Sequence, residues 1–493
     1  MNLNRKEFLT LLGGLAISSK FPLVGSLEAQ SLNANGRTLI NLLLEGGPDF
    51  RHLLVPRPNN DTRSYGYKYW NNRTTAIGKG TATNNFNSWQ NVYNSAYEEI
   101  SLSGFTFGVL RDSNGSVNQG RQANGWLRTQ IKNGNVAIIC NVEHSETRDH
   151  AQSLLVLQSG SYATQSNSND AGGWGGRLIS QIPGRLISFS PQIRPFANTT
   201  NKAKILSFNN SRNWGILQPS ALNGRLDPQD RTLRALNAEY SVRTGNFGNS
   251  IFERFANQQQ KIQALTQQIR TVLPPPAQGQ SMSSLYPTAI NNLFTGSGRL
   301  QNQNFANQIR SLYDAFQVAG SNLLNMKIAS LNYGGWDSHK NQANDIEPQY
   351  DDIFGTGKGF DSLFGNNTNL FNNCTIAISG EFGRQLKSNG DNGTDHGRAN
   401  YILLIGGKVR GGVYGDMFPV IESTEDSTGR SLYDNFNRDI EGRTSFDKVF
   451  GPVCDWLGGS GAGVFSNIIG STNDIVESSA IATALQSANL FRP

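Results

Sequence analysis

The sequence predicts an α/β fold built on a mainly parallel sheet with helices on both faces. Four short apolar runs, Thr38–Gly47, Asn135–His144, Lys327–Gly335 and Thr375–Gly380, are rich in Ile, Leu, Val and Thr, the composition of strands buried on both sides. Each run ends in Gly or polar residues and delivers an acid or a histidine within a few positions, and in open α/β sheets the ligand crevice lies beyond the carboxyl ends of the strands. At 493 residues the chain can bury one large core of this kind and still carry insertions.

Taken in order, the first run is followed by Asp49, the second ends in Glu143 and His144, the third leads to Asp337 and His339, and the fourth to Glu381. A fifth run, Tyr401–Gly407, follows Asp395-His396 and is expected to return to the sheet. The pairs Gly46-Gly47, Gly334-Gly335 and Gly406-Gly407 permit sharp turns at strand ends. Phe305 to Met326 reads as an amphipathic helix feeding the third strand, the βαβ pattern of a parallel sheet. Phe252 to Leu273 has a helical period that Pro274-Pro275-Pro276 ends, whereas residues 55–125, rich in Asn, Gly, Ser and Thr, read as long irregular connections. The chain closes with a helix expected near Ser478–Leu490.

Charged residues make up only 16% of the sequence and Gly is abundant at 53, a weakly charged, loop-rich composition that fits an exported protein. The formal charge is +6, and without a basic cluster interleaved with aromatics nucleic-acid binding is excluded. Cys140, Cys374 and Cys454 have no CxxC spacing and read as buried thiols, with a Cys140–Cys374 bridge between adjacent strands left open. Near the N terminus, Asn4-Arg-Lys-Glu-Phe-Leu9 looks like a twin-arginine export motif whose second Arg is Lys, and the weakly apolar stretch after it is too short for a membrane span. Residues 1–34 are thus an export signal, cleaved after Ala29 or Ala34, or a retained arm suited to self-assembly.

Of the 5 histidines, four sit beside or one residue from a carboxylate: Glu143-His144, Asp149-His150, Asp337-Ser-His339 and Asp395-His396. Imidazole and carboxylate together suit borderline divalent cations, and several such pairs at one crevice can act on one oxyanion. A single Asp-His dipeptide is ordinarily a solvated surface pair, so the weight lies in their recurrence at strand ends.

Five ordered motifs carry a resemblance over most of the chain. GGPD at Gly46–Asp49, GGWGGR at Gly172–Arg177, GGWDSH at Gly334–His339, GEFGR at Gly380–Arg384 and GTDHG at Gly393–Gly397 resemble an uncharacterised family of twin-arginine-exported bacterial proteins. That family is catalogued as a domain of unknown function and grouped with the sulfatases in the alkaline phosphatase superfamily. The resemblance implies an alkaline-phosphatase-like three-layer sandwich over residues 35–493, with insertions near 55–125 and 210–300. It also implies one or two divalent ions (Zn, Mn, Ca or Mg) held by Asp49, Asp337, His339, Glu381, Asp395 and His396. Asp395-His396-Gly397 matches the superfamily's Asp-His-Gly by string, while Glu381 matches it by place after a strand; both alignments keep the same candidates.

At the nucleophile the chain departs from that pattern. Related sequences read Arg-Ser-His-Phe where this one reads Arg148-Asp149-His150-Ala151, so a carboxylate replaces the expected hydroxyl, with Ser145 and Thr147 nearby. His150 or His144 is the expected general acid, and Arg148 and Arg384 are either anion clamps or structural ion-pair partners. The implied activity is hydrolysis of a phosphate or sulfate ester outside the cytoplasmic membrane, at the cell surface or in the periplasm. The alternative is a catalytically inactive surface or matrix protein on the same fold.

Overall fold

A computed structural model describes residues 36–79, 84–113, 123–161 except 144 and 146, 172–199, 201–208, 268–319 except 270, 275, 277 and 278, 324–419, 440–465 and 476–493. The N-terminal segment 1–34, His144, most of the helix expected over Phe252–Leu273 and the larger part of the 210–300 insertion lie outside the described residues.

In chain order the strands are β1 (Thr38–Glu45), β2 (Leu54–Pro56), β3 (Tyr97–Leu102), β4 (Phe105–Leu110), β5 (Val136–Glu143), β6 (Arg185–Ser188), β7 (Ile205–Ser207), β8 (Met326–Gly334), β9 (Cys374–Gly380), β10 (Gly383–Ser388), β11 (Thr394–Gly397), β12 (Asn400–Ile405), β13 (Gly412–Tyr414) and β14 (Thr444–Ser445). The longer helices are α1 (Tyr65–Ile77), α2 (Phe86–Ala96), α3 (Gly125–Lys132), α4 (His150–Ser159), α5 (Trp174–Gln181), α6 (Gln303–Ala319), α7 (Gln342–Phe354) and α8 (Phe446–Trp456). The fold is mixed α/β, with a mostly parallel 9-stranded sheet in the order β13-β5-β12-β9-β1-β8-β6-β7 and β14 added to β5. All five predicted runs are strands of this sheet, and β12 alone runs against the others.

Alternation along the strands feeds two cores. In β1, Ile40, Leu42 and Leu44 face one layer and Leu39 and Leu43 the other. The first layer is packed by α1, α2, α3, α6 and α7 through side chains such as Trp70, Trp89, Trp126, Ile309 and Tyr350. The second is packed by α4, α5 and α8 through Val156, Leu157, Trp174, Leu178 and Phe450. Each fully buried Leu or Ile is worth about 1.5–3 kcal/mol, so the paired strands form a stiff platform whose carboxyl edge can hold loops in place. In β5, Asn141 adopts a φ of 51° and the alternation shifts, moving Val142 to the second face.

Residues 55–125 depart from the sequence reading, because they contain α1, α2 and a three-stranded antiparallel sheet in the order β2-β4-β3. Asn-rich composition masked a helical period carried by aromatics: Tyr69, Trp70, Trp89, Tyr93 and Tyr97 are all buried and mostly meet edge to face. The C-terminal helix is broken into Ser479–Leu485 and Ser487–Leu490. The cysteines are free, and β12 separates the strands of Cys140 and Cys374, so the adjacency a bridge requires does not exist. Among the described residues no helix is long and apolar enough to cross a membrane.

Candidate metal centre

The carboxyl ends of β1, β8 and β9 lie side by side, and the loops leaving them meet through close backbone approaches. Gly46 has φ +121°, and a Cβ there would stand 2.4 Å from the Asp337 nitrogen. Gly393, at the tip of the β10–β11 hairpin, would place a Cβ 2.2 Å from the His339 carbonyl carbon. These glycines let the first strand end, the Asp337–His339 loop and the hairpin carrying Asp395 and His396 share one small volume.

Within that volume His339 Nε2, His396 Nε2 and Asp337 Oδ1 form a triangle. The two imidazole nitrogens are 2.9 Å apart, and they stand 3.1 and 3.0 Å from the carboxylate oxygen. His150 approaches from the start of α4, with Nε2 3.5 Å from Asp337 Oδ2. One ligand atom each from His150, Asp337 and His396 lies within 4.8 Å of the others.

The opposite ring nitrogens are each held by an oxygen. His150 Nδ1 is 2.9 Å from Glu381 Oε1, His339 Nδ1 is 3.1 Å from Asp395 Oδ1, and His396 Nδ1 is 2.9 Å from the Arg148 carbonyl. A carbonyl or carboxylate oxygen accepts, so each Nδ1 carries the proton, and a neutral ring then turns an unprotonated Nε2 inward. His339 and His396 therefore aim lone pairs at each other and at a carboxylate. That arrangement is repulsive unless a cation, either a metal ion or an added proton, lies between the three atoms. Edges near 3 Å also match three adjacent positions around an ion about 2.1 Å from each ligand. Behind His150, Glu381 is 1% exposed: its Oε1 accepts from the Gly46 nitrogen at 2.8 Å and faces His150, while its buried Oε2 has no hydrogen-bond partner among the described residues. On these observations the donor set fits a divalent cation.

The local charges follow. Partial burial pushes the Asp337 carboxyl up, but the Arg384 guanidinium that donates to it outweighs this and holds the group well below the usual carboxylate range. The Glu381 hydrogen bond raises the pKa of His150, whereas burial leads the lowering of His396. His150 is thus more readily protonated than His396.

Several residues named from the sequence take other places. Asp49 does not join the triangle: it is 1% exposed, its Oδ2 pairs with Arg73 and accepts from Gln342 Nε2 at 2.8 Å. Burial pushes its carboxyl up, but Arg73 leads the charges that bring it below its ordinary value. Glu381 and Asp395 face histidine Nδ1 atoms and so orient rings instead of meeting the centre directly. Asp149 caps α4, its Oδ1 accepting from the Gln152 nitrogen at 2.9 Å. The Thr147 hydroxyl accepts from the Asp149 nitrogen at 3.1 Å, and Ser145 is buried. Arg384 is a buried strut, donating to the carbonyls of Gly46, Gly47, Trp336 and Thr394 and to Asp337 Oδ1. Arg148 is exposed, its carbonyl facing His396 Nδ1 at 2.9 Å and its guanidinium donating to the His396 carbonyl at 3.5 Å. Glu143 pairs with Arg398.

The sequence reading gave no role to Arg73, Gln342 or His52. Arg73 and Gln342 sit in polar stretches without motif, and His52, the fifth histidine, has Arg51 as its neighbour instead of an acid. Residues 36–428 match the family described as Protein of unknown function (DUF1501). No curated protein matches the chain.

Proposed function

The chain belongs to the DUF1501 family, and we propose that it is an exported, metal-dependent hydrolase of phosphate or sulfate esters, related to the sulfatase-like proteins of the alkaline phosphatase superfamily. The observation that carries the reading is the triangle of Asp337 Oδ1, His339 Nε2 and His396 Nε2, three inward-facing acceptors whose rings are fixed from behind. The motif resemblance and the location of the triangle at the carboxyl ends of β1, β8 and β9 support the superfamily assignment, and the Asn4–Leu9 motif supports export.

Asp337, His339 and His396 would hold the ion, with His150 alongside. A divalent ion there supplies positive charge that stabilises an oxyanion and acidifies water. Asp395 and the Arg148 carbonyl keep the two ligand rings turned inward. Glu381 holds His150 by Nδ1 and favours its cationic form, leaving a proton on Nε2 for a departing ester oxygen. His150 is also the first residue of α4, whose partly positive end favours an anionic group at the same place. Water is the nucleophile, because Asp149 is committed to the helix cap.

That same cap favours a second reading, a catalytically inactive surface or matrix protein that retains the centre without turnover. Metal analysis of the purified protein, combined with assays on a panel of phosphate and sulfate esters, separates the two. Bound divalent metal with turnover of an ester supports the hydrolase; bound metal without turnover supports the scaffold; neither metal nor turnover removes the centre itself.

A further inference from the structure

We infer that Gln342 is a positioning residue for this centre, its amide fixing the distance between the two loops that carry Asp337, His339 and His396. The inference rests on the reading of that centre as a metal site. Gln342 is the first residue of α7 and is 0% exposed. Its Oε1 accepts from the Ser338 hydroxyl at 3.1 Å and from the Thr394 hydroxyl at 2.5 Å. Its Nε2 donates to Asp49 Oδ2 at 2.8 Å and meets His52 Nδ1 at 3.3 Å.

The orientation of the amide is dictated by its partners. Asp49 can only accept, so the NH2 group faces it. His52 Nε2 lies 2.8 Å from Glu347 Oε1 and carries the ring proton, which leaves Nδ1 free to accept the second amide hydrogen. Both lone pairs and both protons of the amide are thereby used, by four residues from three segments. Ser338 lies between Asp337 and His339, and Thr394 lies two residues before His396, so one amide oxygen ties the β8 loop to the hairpin. Its nitrogen anchors the pair to Asp49, which Arg73 fixes in turn. Asp49, expected from the sequence to bind metal, acts on the centre through Gln342.

The test is Mn(II) and Zn(II) binding to the full chain by calorimetry. Gln342→Met, which keeps the length and removes all four bonds, is expected to weaken binding 10- to 100-fold, the range for groups that orient metal ligands. Ser338→Ala/Thr394→Val keeps Gln342 and removes the two hydroxyls that its Oε1 holds, and should weaken binding about as much. Leu178→Ala, in the core on the opposite face of the sheet, should lower Tm without changing the dissociation constant. Affinity of the Gln342→Met protein within twofold of the parent overturns the inference, as does a Ser338→Ala/Thr394→Val protein that binds as the parent does, which decides the matter if Gln342→Met fails to fold. A parent that binds neither ion overturns both the centre and this role.

Discussion

Replacing Arg384 with Met separates a strut from an anion clamp. The guanidinium is 1% exposed and donates to the carbonyls of Gly47 at 2.8 Å, Trp336 and Thr394 at 3.0 Å, and Gly46, besides Asp337 Oδ1 at 2.8 Å. Met fills the stem's volume and leaves five acceptors without that donor. Counting about 1 kcal/mol for each of the four carbonyls, the low end for a buried group left unsatisfied, and nothing for the half-exposed Asp337 carboxylate, the loss is about 4 kcal/mol. A domain's whole stability is only about 5–15 kcal/mol, so the variant should be close to unfolding at ambient temperature. Arg384→Lys, with three donors and no planar fork, should fall in between. Urea unfolding followed by fluorescence and circular dichroism measures both. A stability loss below about 1 kcal/mol, accompanied by collapse of ester binding, would refute the strut and restore the clamp.

Asp395→Asn should weaken metal binding about 10- to 100-fold without abolishing it, because it acts through the His339 ring, whereas His339→Ala should abolish measurable binding; Glu381→Gln, which acts through the proton-donating His150, should lower turnover with little change in metal titration. Asp149→Asn preserves the cap and should keep both stability and activity, while Asp149→Ala should cost about 1 kcal/mol; loss of all turnover in Asp149→Asn would make the carboxylate a nucleophile after all. Asp49 has a folded pKa below its unfolded one, so its contribution is present above about pH 4 and is lost as pH falls through the folded value. Unfolding curves below pH 4 should therefore fall less steeply with acid for Asp49→Asn than for the parent.

The sheet was legible because doubly buried strands must be apolar throughout, and each of the five runs announced itself that way. The loops at its crest were legible because histidine is scarce and acids stand beside it at strand ends. Ligand order was not legible. Asp49 and Glu381 follow their strands at the expected spacing, yet Arg73 and His150 reach them from elements whose approach no local pattern encodes. Asp149 illustrates a further limit: a carboxylate at a helix start satisfies the capping requirement and the nucleophile motif equally well as a string, and only the hydrogen bond to Gln152 distinguishes them. The 55–125 region failed for a different reason, since its helices are stabilised by aromatic contacts with the sheet layer and not by the intrinsic propensity of their Asn-rich surfaces.

Anomalous diffraction from crystals grown with Mn(II) tests the central claim most directly. The account predicts one strong peak about 2.1 Å from His339 Nε2, His396 Nε2 and Asp337 Oδ1 together. Absence of a peak there, with the three side chains joined by protons alone, or a peak ligated by Asp49 in place of the histidines, would contradict it.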